Sequence, residues 1–268
     1  MNSKDRKIVF FDIDGTIVDG ATHTIPESTV EAIRRLRANG HLAFLNTGRT
    51  MASIEKRILD IGFDGYVCGC GTHIYYEGET LYSRSIPHEK CVEIIYELRK
   101  LGIPTFFEAQ DAVYYDSRCM SPALGQSVSN FQNVGSRVSD FPEKPEETDV
   151  SFDKFFCMLR ENDDAEGLRA YAEGDFTATP QGPRYLEMVP VGSDKAEGIR
   201  FLQKTLGIPD ENCYAIGDSE NDLAMLKAVP HAIAMGVCAP AILPYCSYQT
   251  GKVTEDGICQ ALEHYGLI

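Results

Sequence analysis

The stretch "IVFFDIDGTIVDG", residues 8–20, opens with the apolar run Ile8-Val9-Phe10-Phe11 and then sets two acids, Asp12 and Asp14, one residue apart. An uninterrupted run of β-branched and aromatic residues, with no polar alternation, is the pattern of a buried strand. Side chains at i and i+2 of an extended chain share a face. Two like charges held that close disfavour one another, so the end of this strand asks for a positive partner.

Outward from it, strand and helix patterns alternate. Residues 26–39 read as a helix with Ile33 and Leu36 on one stripe and Gly40 as its stop, and residues 42–46 as the next strand. A helix over about 50–61 and a strand over 65–70 complete a βαβαβ run, the signature of a parallel sheet with helices on both faces. Ligands of such sheets gather at the carboxyl ends of the strands.

The rhythm changes after that. Residues 74–81 read as a hairpin around Glu77-Gly78, followed by a helix over 87–101 and two short strands, "PTFFEA" and "AVYYDS", flanking Gln110-Asp111. Residues up to Val138 are ambiguous, and "FPEKPEETD" reads as a loop. A strand over 155–159, a helix over 163–172 and strands near Phe176 and Tyr185 come next. From Met188 the βα alternation returns, with helices over 194–206 and 221–228, strands over 214–217 and 232–235, and a last helix ending near Tyr265. The expected fold is therefore α/β: a Rossmann-like parallel core from residues 1–81 and 187–268, bracketing an inserted α+β domain at 82–186.

Composition narrows the function. The chain has 268 residues, and its 40 acidic against 25 basic side chains give a net charge of −15, which disfavours non-specific binding to nucleic acid or anionic membrane. A phosphate-bearing ligand would be repelled at long range, so it needs cations and aimed N–H groups inside the screening distance of about 8 Å. The nine cysteines include no C-x-x-C pair, which argues against a disulfide framework and against structural zinc. Cys68 and Cys70, on one face of the expected strand, read as thiols packed in a core. The charged start MNSKDRK and the break of the first apolar run at Asp12 fit neither a signal peptide nor a membrane span, so a cytoplasmic protein is expected.

Four features at strand ends of the bracketing core carry chemistry. Asp12-Ile13-Asp14-Gly15-Thr16 fixes four positions, which chance would supply about 0.002 times in a chain this long. Asn46-Thr47-Gly48-Arg49 closes the second strand where a helix is expected to open, and a hydroxyl and a glycine there suit an anion. Lys195, after "YLEMVPVGSD", puts a cation in a first helical turn, where the dipole disfavours it. Gly217-Asp218-Ser219-Glu220-Asn221-Asp222 follows the strand "CYAI", and acids clustered there point to a divalent metal.

In this order the four features resemble the motifs of the haloacid dehalogenase (HAD) superfamily of phosphohydrolases, and an insert between the second and third motifs is similar to the large cap of its Cof-type branch. The chain departs from that branch in having Gly69-Cys70-Gly71-Thr72 where Ser-Asn-Gly-Ala is common, and Lys195-Ala196 where Lys-Gly is common. The resemblance implies a Mg²⁺-dependent phosphomonoester hydrolase acting on a small phosphorylated metabolite, such as a sugar phosphate. It implies Asp12 as nucleophile and Asp14 as acid and base, with Asp12, Asp14 through its carbonyl, and Asp218 as metal ligands. Thr47, Gly48 and Lys195 would hold phosphate, Asn221 substrate or phosphate, and Asp222 the metal's waters. A phosphotransferase or mutase using the same aspartyl intermediate, and a non-catalytic metabolite sensor, are the alternative readings. In the insert, Phe106, Phe107, Tyr114 and Tyr115 are expected to pack against helices rather than to line a site. Arg118 and His73 are candidate polar contacts, and oligomeric state is not legible.

Overall fold

The computed structural model describes residues 6–268, so the first five residues of the charged start lie outside the described residues. β1 (Ile8–Phe11) and β2 (Leu42–Asn46) are buried along their whole length. Between them α1 (Glu27–Ala38) buries Ala32, Ile33 and Leu36 and ends before Gly40, whose φ of +86° suits glycine. A short α2 (Lys56–Leu59), β3 (Gly65–Cys68), β4 (His73–Tyr76) and β5 (Glu79–Ser83) follow.

The chain next forms α3 (His88–Leu101), β6 (Thr105–Glu108), β7 (Val113–Tyr115), α4 (Pro122–Asn133), β8 (Val138–Asp140), β9 (Lys154–Met158), α5 (Ala165–Ala172), β10 (Phe176–Pro180) and β11 (Tyr185–Pro190). It finishes with α6 (Lys195–Leu206), β12 (Cys213–Gly217), α7 (Leu223–Lys227), β13 (His231–Ala234), β14 (Tyr248–Gln249) and α8 (Gly257–His264).

The chain clusters into two units. The core unit holds the described residues through Gly48, Arg57–Tyr82 and Asp194–Ile268. Its sheet runs β14-β13-β12-β1-β2-β3-β4-β5, parallel from β14 to β3, with β4 antiparallel to β3. β1 lies between β2 and β12, so the chain leaves it in one direction and returns on its other side. That reversal sets the ends of β1, β2 and β12 side by side, where ligands of open α/β sheets bind.

The second unit holds Arg49–Lys56 and Ser83–Ser193. Its sheet, β10-β11-β9-β6-β7-β8, is antiparallel except for the β7/β8 pair. Alternation along the strands divides its core. Phe107, Phe155, Leu186 and Met188 pack with Ile94 and Leu98 of α3 and Leu168 of α5, whereas Phe106 and Met158 pack with Leu124 and Val128 of α4.

Several elements differ from the sequence reading. The helix expected over 50–61 is a 3₁₀ turn at Met51–Ser53 and the four residues of α2; the Thr50 and Ser53 hydroxyls lie 3.3 Å apart across that turn. The strand expected over 65–70 stops at Cys68, since Gly69, Cys70 and Gly71 all take positive φ; Cys68 and Cys70 therefore share no strand face. α4 fills the ambiguous stretch, capped by Ser121, which accepts from the Leu124 N–H at 3.2 Å. β11 runs through the expected boundary at 186/187 to Pro190, its inward Leu186 and Met188 continuing the same core. All nine cysteines are free thiols. Among the described residues no helix is long and apolar enough to cross a membrane.

Candidate active site

Asp12 directly follows β1, and its N–H extends the ladder to β12 by donating to the Ile216 carbonyl at 3.1 Å. The chain then turns tightly, the N–H groups of Thr16, Ile17 and Val18 converging on the Ile13 carbonyl at 3.3, 3.0 and 2.9 Å. Gly15 has a φ of +86°, and a Cβ there would lie 2.4 Å from the Asp218 carboxylate. Glycine is thus required twice over. Thr16 Oγ1 donates to Asp218 Oδ1 at 3.2 Å. The Gly-Thr of the first motif therefore makes room for, and holds, the acid at the end of β12.

Lys195 opens α6. Asp194 caps that helix by accepting from the Glu197 N–H at 2.7 Å, and Asn46 Nδ2 donates to the Lys195 carbonyl at 2.9 Å. The ammonium is buried and lies 2.6 Å from both Asp12 Oδ1 and Asp222 Oδ1. The other oxygen of Asp222 accepts from the N–H groups of Asp218 and Ser219 at 3.0 and 3.1 Å. That inward turn explains why the helix expected at 221 begins instead as a 3₁₀ turn, Glu220–Asp222.

One ammonium faces three acids. Burial, and next the Asp222 charge, push Asp12 up to about 7 against the pull of Lys195. Burial and Asp222 likewise push Asp218 up to about 7. Although burial opposes it, Asp12 and Asp222 raise Lys195 above its ordinary value, so the ammonium stays charged. Asp12, Asp218 and Asp222 each offer an oxygen within 4.8 Å of the others. An all-carboxylate donor set short of positive charge fits a hard divalent cation such as Mg²⁺. Both Asp222 oxygens are engaged, which leaves Asp12 and Asp218 as the better placed carboxylates.

The other predicted residues belong to the same unit. Asp14 is exposed on the turn after Asp12, and its side chain stands outside the acidic triad. Thr47 is buried; its N–H donates to the Val67 carbonyl at 2.9 Å and its carbonyl accepts from the Cys70 N–H at 3.1 Å. Gly48 follows it, and Asn221 sits half-buried in the turn after Asp218. The Gly69–Gly71 turn is tied to Thr47 on one side and to α6 on the other, for a Cβ on Gly71 would lie 2.4 Å from the Asp194 carbonyl. Cys70 occupies the left-handed region there, at φ 56° and ψ 42°. Asparagine tolerates that conformation better than most residues, which gives a backbone reason for its use at this position in the branch the chain resembles.

Asp222, expected at the metal's waters, belongs to the acidic triad and in addition accepts from Lys195 at 2.6 Å, a contact the sequence does not reveal. Thr16 and Asn46 stand inside motifs that were recognised, but what they hold lies 202 and 149 residues away, so no local pattern reveals it. Phe106, Phe107 and Tyr114 pack in the second unit, Tyr114 stacking on Phe141 with ring centroids 5.3 Å apart. Arg118 is taken up by Asp116 and the Phe141 carbonyl, each at 3.1 Å, and His73 is buried against Tyr75.

The family model of the haloacid dehalogenase-like hydrolases matches residues 9–262. The chain is 25% identical over 268 residues to the 5-amino-6-(5-phospho-D-ribitylamino)uracil phosphatase YcsE of Bacillus subtilis (strain 168), covering 98% of this chain and 97% of that protein. Among solved structures, a protein from Geobacillus kaustophilus HTA426 aligns with a TM-score of 0.85 and 30% identity, covering 98% of this chain and 100% of that one. The HAD subclass IIB sugar phosphatase BT4131 aligns at 0.81 and 27%, with the same coverage.

Proposed function

The chain belongs to the haloacid dehalogenase-like hydrolases of the Cof type and is a phosphatase of that superfamily; from this premise we propose that it is a Mg²⁺-dependent phosphomonoesterase that works through an aspartyl-phosphate on Asp12. The observation that carries this reading is the Lys195 ammonium held 2.6 Å from Asp12 and from Asp222, beside Asp218 at the adjacent strand end. A buried cation that fixes one carboxylate is what a preorganised nucleophile needs.

In this proposal the ionised Asp12 attacks phosphorus, and the P–O bond to the leaving alcohol breaks. Asp14, exposed and reachable by solvent, gives the departing alkoxide its proton. Asp14 then takes a proton from a water whose oxygen attacks the same phosphorus. The Asp12–phosphorus bond breaks, inorganic phosphate leaves, and both acids return to their starting states. Lys195, the Thr47 hydroxyl and the Gly48 N–H hold the phosphoryl oxygens, and Asn221 contacts substrate or phosphate. Asp12 and Asp218 through carboxylates, with Asp14 through its carbonyl, would hold Mg²⁺, and Asp222 keeps Lys195 in register. Bound there, the cation supplies positive charge to the acids and to the phosphoryl oxygens.

The proposed substrate is a small phosphorylated metabolite with a hydroxylated leaving group, such as a sugar phosphate. This is supported by two similar proteins, one named for a phosphorylated ribityl compound and the other called a sugar phosphatase. The test is a panel of phosphorylated metabolites assayed with Mg²⁺. Phosphate released in step with dephosphorylated product, lost in EDTA and restored by Mg²⁺, is the expected result. A phosphorylated isomer without free phosphate would make the enzyme a mutase instead.

A further inference from the structure

Asn46, the last residue of β2, is completely buried. β1 and β2 pair in parallel with Phe11 opposite Leu45, which sets Asp12 and Asn46 at neighbouring positions, and Asn46 in turn pairs with Val67 of β3. Residues in register share a face of the sheet, and all three meet the start of α6. Asp12 holds the Lys195 ammonium at 2.6 Å, Asn46 Nδ2 donates to the Lys195 carbonyl at 2.9 Å, and a Cβ on Gly198 would lie 2.4 Å from Val67 Cγ1. Adjacent positions of the core sheet therefore hold Lys195 at both of its ends.

The oxygen of the same amide is spent on nothing. Asn46 Oδ1 is buried and has no hydrogen-bond partner among the described residues. An unsatisfied buried acceptor is costly, and an apolar side chain of similar size would avoid that cost. What the amide adds is the bond from Nδ2. That bond is not what seats the helix, because Ile199 and Leu202 are fully buried in the core and the Asp194 side chain caps α6. It acts on the residue whose ammonium reaches Asp12. A lysine carries its charge on a flexible four-carbon stem, so fixing the main chain at its root narrows where the charge can go.

We propose that Asn46 is a positioning residue for phosphoryl transfer: by holding the Lys195 carbonyl it sets the ammonium against Asp12, and it touches neither substrate nor metal. The proposal rests on the hydrolase reading above, in which Asp12 attacks phosphorus and Lys195 holds a phosphoryl oxygen. Without the amide, Thr47 and Gly48 still bind phosphate, so the loss falls on the transition state rather than on ground-state binding. A misplacement of about 1 Å is worth about a hundredfold in rate.

The test uses Asn46→Leu, close to asparagine in size but without a donor, Asn46→Ala, which makes no steric demand, and Ile199→Val, which thins the packing of the same helix. With p-nitrophenyl phosphate and Mg²⁺, both Asn46 variants are expected to lose at least about tenfold in kcat, with KM within about threefold of wild type. Ile199→Val is expected to melt lower and to keep kcat within about twofold. A second readout needs neither turnover nor metal. Lys154 and Lys195 are the buried lysines among the described residues, so their protected ammonium protons are sought in a ¹H–¹⁵N spectrum of the metal-free protein, the Lys195 signal being the one absent from Lys195→Arg. It is expected to shift in the Asn46 variants while the Lys154 signal stays. A kcat within about twofold of wild type in a folded Asn46 variant, a loss carried by KM instead, an unmoved Lys195 signal, or a fall in kcat that Ile199→Val shares overturns the proposal. A wild type that releases phosphate from neither p-nitrophenyl phosphate nor the metabolite panel defeats the hydrolase reading and this proposal with it. A wild type that turns over, beside an Asn46→Leu variant of equal kcat, defeats the positioning role alone.

Discussion

Two carboxylates share one buried ammonium at the carboxyl end of β1, and a third stands within reach of both. Removing the charge of Asp12 while keeping its shape therefore separates chemistry from folding. Asp12→Asn is expected to unfold in EDTA no more easily than the wild type, because Lys195 keeps a full partner in Asp222 and one of three crowded negative charges is gone. Its turnover is expected to fall by about four orders of magnitude or more, as for members of a catalytic unit. Melting curves and kcat measured on the same preparation check both halves, and near-normal kcat contradicts the role assigned to Asp12. At this scale the sequence showed which residues stand at strand ends, since motif spacing is local. It did not show that Asp222 grips Lys195 or that Asn46 fixes the lysine's backbone, because those contacts exist only once β2, α6 and β12 have assembled.

The loops after β1, β2 and β12 fit one another closely enough that single atoms matter. A Cβ at residue 15 would enter the Asp218 carboxylate and demand a φ that an L-residue rarely adopts. Gly15→Ala is thus expected to lose about 1–3 kcal/mol of stability and to shift Asp218 away from Asp12. A Mg²⁺ titration followed by thermal shift, displaced at least tenfold to higher concentration, is the expected sign; an unchanged titration midpoint would detach Asp218 from the metal. Elements with strong periodicity, such as α1, α3 and α6, were legible from the chain. The helix expected over 50–61 is not what forms: Ser53 donates to Glu108, 55 residues along the chain, a contact that periodicity does not weigh. α4 was missed although Ser121-Pro122 is a start signal, since its apolar stripe holds only Leu124 and Val128 as buried residues.

Across the whole chain, a net charge of −15 and a core site with more acid than base make cations the natural partners of the metal-free protein. Saturating Mg²⁺ is expected to stabilise it by mass action, about 2.7 kcal/mol at a hundred times Kd. Unfolding scans with and without Mg²⁺ check this, with Asp218→Asn expected to respond much less. The change from parallel to antiparallel rhythm in the sequence falls where the second unit's long segment, Ser83–Ser193, begins. Its edges were harder to place, because β11 keeps the same inward apolar alternation up to Pro190 and because Arg49–Lys56 joins the second unit through contacts far away in sequence.

The most direct test of the central claim is to quench the enzyme during turnover of a ³²P-labelled phosphomonoester with acid and to map the label by peptide sequencing. The expected result is a hydroxylamine-labile acyl phosphate on Asp12, absent from Asp12→Asn. Turnover with no protein-bound label under any quench time, or a label carried by another side chain, would contradict it.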